Sequence, residues 1–308
     1  MKIAVMGSGG VGGYFGGRLA KAGYDVTFIA RGSHLAAMRD HGLKIESQSG
    51  EIHVPHVNVT DDPATVGPVD LVMFCVKLAD TEAAARSIRP LFGAHTGIVS
   101  FQNGVQKDDI LRREFGDKAV MGGVAYIATA IERPGVIKHT GTMQRLLFGE
   151  YDGSRSARAE TLFDACRNAG INAEMPEDIR RAIWEKFVFL VGLSGTTATV
   201  RLPIGRIREN AHSRAFLFDI IQEAVAVGRA HGVALPEDYA HTRLAFCDGL
   251  PAEMTSSMHH DLERGNPLEV GWLAGGVVTL GEAVGVATPA NRAVRAVLAP
   301  HAQGRRAP

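Results

Sequence analysis

"KIAVMGSGGVGGYFGGRLAKAGYDVTFIAR", residues 2–31, decides the fold. Its ends, "KIAVMG" (2–7) and "DVTFIA" (25–30), are apolar on both alternating faces, as strands buried on both sides of a parallel sheet must be. The middle, "GGYFGGRLAKAG", reads as a helix closed by Gly23. Two more runs of the strand type follow, "DLVMFCVK" (70–77) and "GIVSFQ" (97–102). Alternation of buried strands with helices predicts an α/β fold with a Rossmann-type doubly wound sheet.

Outward from this core, "LKIESQSGEIHVPHVNV" (43–59) reads as an added β-hairpin turning at Ser49-Gly50. A second hairpin is expected across 126–150, turning at Pro134-Gly135. One more helix follows the polar stretch "GEYDGSRSARAE", and "INAEM" (171–175) reads as a closing strand. From Pro176 onward apolar residues recur at helical spacing almost to the end. The boundary therefore falls at 175, with the Rossmann-type domain over 1–175 and an all-helical domain over 176–308. The tail "HAQGRRAP" (301–308) reads as loose.

A chain of 308 residues can bury two such cores. Its 33 Lys and Arg cancel its 33 Asp and Glu, so no global charge draws it to nucleic acid or to a membrane surface. No apolar run approaches the ~20 residues of a membrane span, and the apolar run in "MKIAVMGSGG" is too short for a signal peptide. A cytoplasmic protein is expected. Cys75, Cys166 and Cys247 are widely spaced in apolar settings, which suits reduced structural thiols, Cys75 as a buried strand residue with a reactive thiol as the alternative. The 12 histidines form no ligand pattern, and the pair His259-His260 points to different helix faces, so no metal site is expected.

"GSGGVG" (7–12) fits G-x-G-x-x-G, with Gly7, Gly9 and Gly12 in place and Ser8, Gly10 and Val11 between them. The glycines permit the tight strand-to-helix turn, close approach of a pyrophosphate, and close packing of helix on sheet. The helix N-terminus adds free N–H groups and partial positive charge for the phosphates. The strand before and the helix and strand after are the context this dinucleotide-binding motif requires. The second strand ends at Arg31 rather than at an acid. An acid there would hold the ribose and repel a 2′-phosphate, whereas Arg pairs with that phosphate, so NADPH is favoured over NADH. Arg31 as a solvated loop cation is the alternative. Lys77, leaving another strand at the same edge, adds charge near the phosphates or is an ordinary surface lysine.

The helix "AIWEKFVFLVGLSG" (182–195) carries a lysine among apolar residues. With Ile179 at zero and ~100° per residue, Ile183, Lys186, Leu190 and Leu193 fall within roughly 40° of one line. Lys186 is thus expected near the centre of the apolar face, where an ammonium is costly to bury. It either snorkels to solvent or serves chemistry.

Taken in order, "GSGGVG", "CVKLADT", "SFQNG", "IWEKF" and "SSMHHDLERGNPLEV" resemble the ketopantoate reductase family over nearly the full length. The resemblance implies an NADPH-dependent reductase with an N-terminal Rossmann domain and a helical C-terminal domain. It implies Lys186 as the catalytic lysine, and Asn103 as the Asn touching nicotinamide ribose and substrate. Ala128 matches a backbone cofactor contact, Lys77 a cofactor-contacting lysine, and Ser257 the substrate-binding serine. Glu269 matches the late glutamate beside the active site, in contact with cofactor or catalysis. Its bland reading is a capping box: in "NPLE", Asn266 fits an N-cap, Pro267 the first helical position and Glu269 the third. An ammonium within reach of the substrate carbonyl would stabilise the charge built by hydride addition and donate the proton.

Where the family presents asparagines that hold the polar end of ketopantoate, this chain has Leu190, Ser194 and Ile204. A wall without those groups cannot discriminate in favour of such hydrogen bonds. The resemblance still implies a small 2-oxo acid or ketone as partner, ketopantoate first. A more apolar substrate for a sister 2-hydroxyacid dehydrogenase, and a non-catalytic NADPH sensor, stand as alternatives. The glycines of 271–287 allow close helix packing within one chain or between two, which leaves a homodimer open.

Overall fold

The structure, a computed structural model, describes residues 1–305. The chain divides into two compact units, 1–103 with 107–182, and 104–106 with residues from Ile183 onward.

The first unit is built on a mixed sheet. Its strands are β1 (Lys2–Met6), β2 (Asp25–Ile29), β3 (Leu43–Ser47), β4 (Ile52–Val54), β5 (Asn58–Thr60), β6 (Leu71–Phe74), β7 (Gly97–Ser100), β8 (Val120–Arg133), β9 (Val136–Gly149) and β10 (Asn172–Glu174). They lie in the order β4-β3-β9-β8-β7-β6-β1-β2-β5, with β10 beside β9. From β8 to β5 every neighbouring pair is parallel. The helices of this unit are α1 (Gly10–Lys21), α2 (Gly32–His41), α3 (Thr81–Ser87), α4 (Lys107–Phe115) and α5 (Ala157–Asn168).

The two-faced apolar runs do what their pattern predicts. Ile3 and Val5 of β1 enter one core with Phe28 and Met73, while Ala4 enters the other with Val72 and Phe74. Both faces are therefore covered, which is what makes a parallel strand apolar throughout. Helix α1 carries glycines in two rows four residues apart. A Cβ at Gly16 would press on Phe28 and Val5, and one at Gly13 or Gly17 on Ile137 or Ile45. One row thus seats α1 on the parallel strands and the other on the hairpin strands, so the sheet curves around this helix.

Three expectations need correction. The hairpin at 43–59 ends at Val54; Asn58–Thr60 leaves it and pairs in parallel with β2. Hydrophobic alternation cannot tell a hairpin's end from a new edge strand, because both bury alternate residues. The third parallel strand stops at Phe74, so Cys75 lies just beyond it and is partly exposed by surface area. Its surroundings still push the thiol up to about 12, and all three cysteines are free. Finally, residues 301–305 are not loose: Leu268 donates to the Ala302 carbonyl at 2.9 Å and Arg305 to that of Gly265 at 2.8 Å. Residues 306–308 of that tail lie outside the described residues.

The second unit is helical among its described residues: α6 (Ile179–Val200, from Ile183 onward), α7 (Ile204–Glu209), α8 (Ala211–Ala230), α9 (Tyr239–Asp248), α10 (Ser257–Arg264), α11 (Ala274–Val284) and α12 (Pro289–Leu298). Its core joins Phe187, Val188 and Val191 of α6 to Leu217, Ile220 and Ile221 of α8 and Val277 of α11. Val105 packs against this core, which explains why 104–106 belongs here.

Candidate functional site

The glycine-rich turn joins β1 to α1. Gly7 takes φ +91°, a conformation L side chains rarely adopt, and a Cβ there would press on Val76 at 2.8 Å. A Cβ at Gly12 would collide with the Gly7 carbonyl oxygen. Gly10 packs against β8, where a Cβ would lie 2.6 Å from the Thr129 carbonyl oxygen. Ala128, exposed, sits beside that contact at a register shift between Ile127 and Thr129. Gly9 differs from the rest: nothing lies within 4 Å of its missing Cβ. Packing within the protein does not require glycine there, and the open space borders the start of α1, where unpaired N–H groups suit an anion. A pyrophosphate fits this cradle by the chemistry of its donors.

Arg31 and Lys77 follow β2 and β6, the two strands that flank β1, at the same edge of the sheet. Arg31 precedes α2, its side chain 82% exposed, with Nη2 3.7 Å from the Asp80 carboxylate. Asp80 belongs to the turn that follows exposed Lys77. Nothing in the local sequence signals this pairing, because it depends on β2 and β6 flanking β1. The C-terminal edge of a parallel sheet is where open α/β folds bind ligands.

The segment after β7 carries Asn103, half-buried, on a scaffold of hydrogen bonds. Gln102 Nε2 donates to the Val76 carbonyl at 3.0 Å and to Thr81 Oγ1 at 2.8 Å, while Ser100 Oγ donates to Gln102 Oε1 at 3.0 Å. Lys107, 1% exposed, donates to the Ser100 carbonyl at 3.0 Å and to Asp108 Oδ2 at 2.8 Å. The Tyr151 hydroxyl donates to that same carboxylate oxygen at 2.5 Å. Burial pulls the Lys107 ammonium down and Asp108 opposes it; burial and Asp108 together hold the Tyr151 phenol far above its ordinary range. Lys107 was not legible as a buried cation, since "VQKDD" reads as a solvated helix start.

In the second unit, α6 is buried around most of its circumference. Trp184, Phe187, Val188 and Val191 are the buried line of its first half. Glu185, Lys186, Phe189 and Leu190 are only half-buried. This corrects the placement of Lys186 on a wholly buried apolar face: Ile183 and Leu193 on its line are buried, but Lys186 and Leu190 are themselves only half-buried. The simple wheel failed because the helix packs on several neighbours, so apolarity did not mark a single buried stripe. Ser194, four residues beyond Leu190, is 1% exposed, and Ile204 is fully buried in the unit's core. Ser256 caps α10, accepting from the His259 amide at 3.1 Å and bonding Thr197 Oγ1 at 2.9 Å, which leaves Ser257 exposed at the first helical position. The capping box at Glu269 is not formed. Leu268 is extended and bonded to Ala302, and half-buried Glu269 opens a short 3₁₀ turn (Glu269–Gly271) before α11.

The predicted residues thus form two groups: 7–12, Arg31, Lys77, Asn103 and Ala128 in the first unit, and Lys186, Leu190, Ser194, Ser257 and Glu269 in the second. A cavity of about 350 Å³ lined by Gln222, Val225, Arg229, Glu237 and His241 contains none of them. Among the described residues, no group of three or more His, Cys, Asp and Glu could hold a metal ion, and no helix is long and apolar enough to cross a membrane.

Parallel sheet, glycine turn and open cradle define a dinucleotide-binding α/β protein. The family described as "Ketopantoate reductase PanE/ApbA" matches residues 3–153, and its C-terminal counterpart, "Ketopantoate reductase PanE/ApbA C terminal", matches 178–302. A 2-dehydropantoate 2-reductase of Mesorhizobium japonicum is 31% identical, covering 97% of both chains. A ketopantoate reductase from Ralstonia eutropha superposes with a TM-score of 0.89 at 35% identity, covering 98% of each chain. D-mandelate dehydrogenase, solved with NADH and anilino(oxo)acetate, shares the fold at TM-score 0.89 and 21% identity, with 98% of each chain covered. The chain belongs to the ketopantoate reductase family and is an NAD(P)-dependent oxidoreductase acting on CH–OH groups.

Proposed function

We propose that this protein reduces a 2-oxo acid to the 2-hydroxy acid with NADPH, ketopantoate to pantoate being the leading reaction. The observation that carries this reading is the match of both halves of the chain to one family, over 3–153 and 178–302. The amides of 7–12 would hold the pyrophosphate, Arg31 the 2′-phosphate, and Lys77, Asn103, Ala128 and Glu269 the remainder of the cofactor. When bound, the cofactor supplies the hydride. Lys186 donates the proton to the carbonyl oxygen, and its half-open position on a long helix suits a rigid donor with ligand access. Glu269 is the carboxylate that would orient that ammonium; Asn103, Leu190 and Ser257 contact the substrate, whereas Ser194, like Ile204, is buried. Free thiols and the absence of a membrane-length helix among the described residues support a cytoplasmic setting.

A second reading, a more apolar substrate, is favoured by Leu190, a half-buried aliphatic where the family carries an asparagine. Ile204 adds nothing to it, because its side chain is wholly within the core. Steady-state turnover with NADPH and a panel of 2-oxo acids decides between them. A ketopantoate kcat/KM of ~10⁴ M⁻¹s⁻¹ or more supports the first reading, and preference for an apolar 2-oxo acid supports the second. Lys186→Ala should lower kcat by about 10² or more; undiminished turnover refutes the proton-donor role.

A further inference from the structure

In "RGSHLAAM" His34 reads as a single histidine in the first turn of a helix. The structure gives both its ring nitrogens work. Nε2 lies 2.9 Å from the Ser8 carbonyl oxygen, and the Gly135 amide donates to Nδ1 at 3.1 Å. A carbonyl only accepts and an amide N–H only donates, so the ring is neutral with its proton on Nε2. Burial, at 9% exposed, favours the same uncharged form and holds its pKa below the ordinary value.

Both partners are themselves fixed. Ser8 is buried, its amide and hydroxyl each directed to the Ile29 carbonyl at 3.3 and 3.1 Å. Gly135 turns the hairpin at φ +77°, and its carbonyl accepts from the Lys44 amide at 2.9 Å. His34 therefore ties α2 to the glycine-rich turn on one side and to the β8–β9 turn on the other.

The Ser8 carbonyl shares a planar trans peptide unit with the Gly9 N–H, and the two point in opposite directions. Drawing the carbonyl inward to His34 turns the Gly9 N–H outward. Gly9 is the turn residue with nothing within 4 Å of its missing side chain.

We propose that His34 is a positioning residue for the dinucleotide: by holding the Ser8 carbonyl it aims the Gly9 amide at the pyrophosphate. This rests on the cofactor reading above. The variants separate the two bonds. His34→Gln retains a donor that can reach the Ser8 carbonyl; His34→Asn retains only an acceptor for the Gly135 amide; His34→Ala retains neither. NADPH affinity is read by its fluorescence and by cofactor KM, beside kcat at saturation and the melting temperature. Expected is a roughly 3–10-fold weaker NADPH affinity in His34→Asn and His34→Ala, the scale of one net hydrogen bond, with kcat within about twofold. His34→Gln should stay close to wild type in affinity even if it melts lower. Equal affinity in all three variants, or a loss in His34→Gln as large as in His34→Asn, overturns the proposal. A wild-type protein that binds no NADPH in the same assay would instead sink the cofactor reading itself. ¹⁵N shifts of the wild-type histidines provide a check without substitution: a proton on Nδ1 of His34 at neutral pH also overturns it.

Discussion

Replacing Lys107 with methionine would remove one half of a buried ion pair and leave the other. The side chains of Lys107 and Asp108 are 1% and 2% exposed, so neither charge has water to fall back on. In the variant, Asp108 keeps only the Tyr151 hydroxyl on Oδ2, while its Oδ1 already lacks a hydrogen-bond partner. Breaking such a pair costs about 3–5 kcal/mol, most of it the penalty of the stranded charge. For a unit of this size each kcal/mol moves Tm by ~2–4 °C, so Lys107→Met should melt roughly 10 °C lower. Adding Asp108→Asn keeps an acceptor for Tyr151 and removes the charge, and should recover more than half of the loss. Differential scanning calorimetry on wild type, single and double variants reads all of this. A fall below about 3 °C in the single variant, or a double variant no better than the single, refutes the reasoning.

Further outcomes follow from the first unit. Arg31→Ala should lower the NADPH:NADH ratio of kcat/KM by about tenfold or more, the scale of a charge-assisted contact to phosphate; Asp80→Asn should raise it about 2–5-fold by freeing Arg31, and an unchanged ratio in both would show that this pair does not face the 2′-phosphate. Gly9→Ala should keep Tm within about 2 °C, as its Cβ enters open space, yet weaken NADPH binding. Gly12→Ala should melt far lower because its Cβ would strike the Gly7 carbonyl; similar melting of the two variants would refute the division of roles. His34 has a lowered pKa, so the folded protein takes up this proton at lower pH than the unfolded chain does. Its contribution is complete above the unfolded value of 6.5 and is lost as pH falls through the folded value. Urea midpoints at pH 7.5 and 5.5 should therefore differ less in His34→Gln than in wild type, and an unchanged difference would discount His34 as a source.

Short-range information carried much of this protein. Strand runs apolar on two faces specified a buried parallel sheet, because period-two alternation with no polar face has nowhere else to go. Gly7 was legible through its positive φ and Gly12 through its contact with the Gly7 carbonyl, both local, whereas the contact of Gly7 with Val76 waits for β6 to pair with β1. The family motifs, read in order, identified the reaction class. Other features depended on distant segments. Whether Asn58–Thr60 closed a hairpin or joined β2 was settled by sheet order, not by its own pattern. That Lys186 and Leu190 are only half-buried depends on what packs around α6, not on its own periodicity. Glu269 left its capping box because Leu268 found a backbone partner in Ala302. Arg31 meets Asp80, and His34 meets Gly135 across 101 residues, only once the strands have assembled. Periodicity and turn chemistry act over a few residues and are written in the chain, whereas a side chain's partner and exposure are properties of everything packed around it.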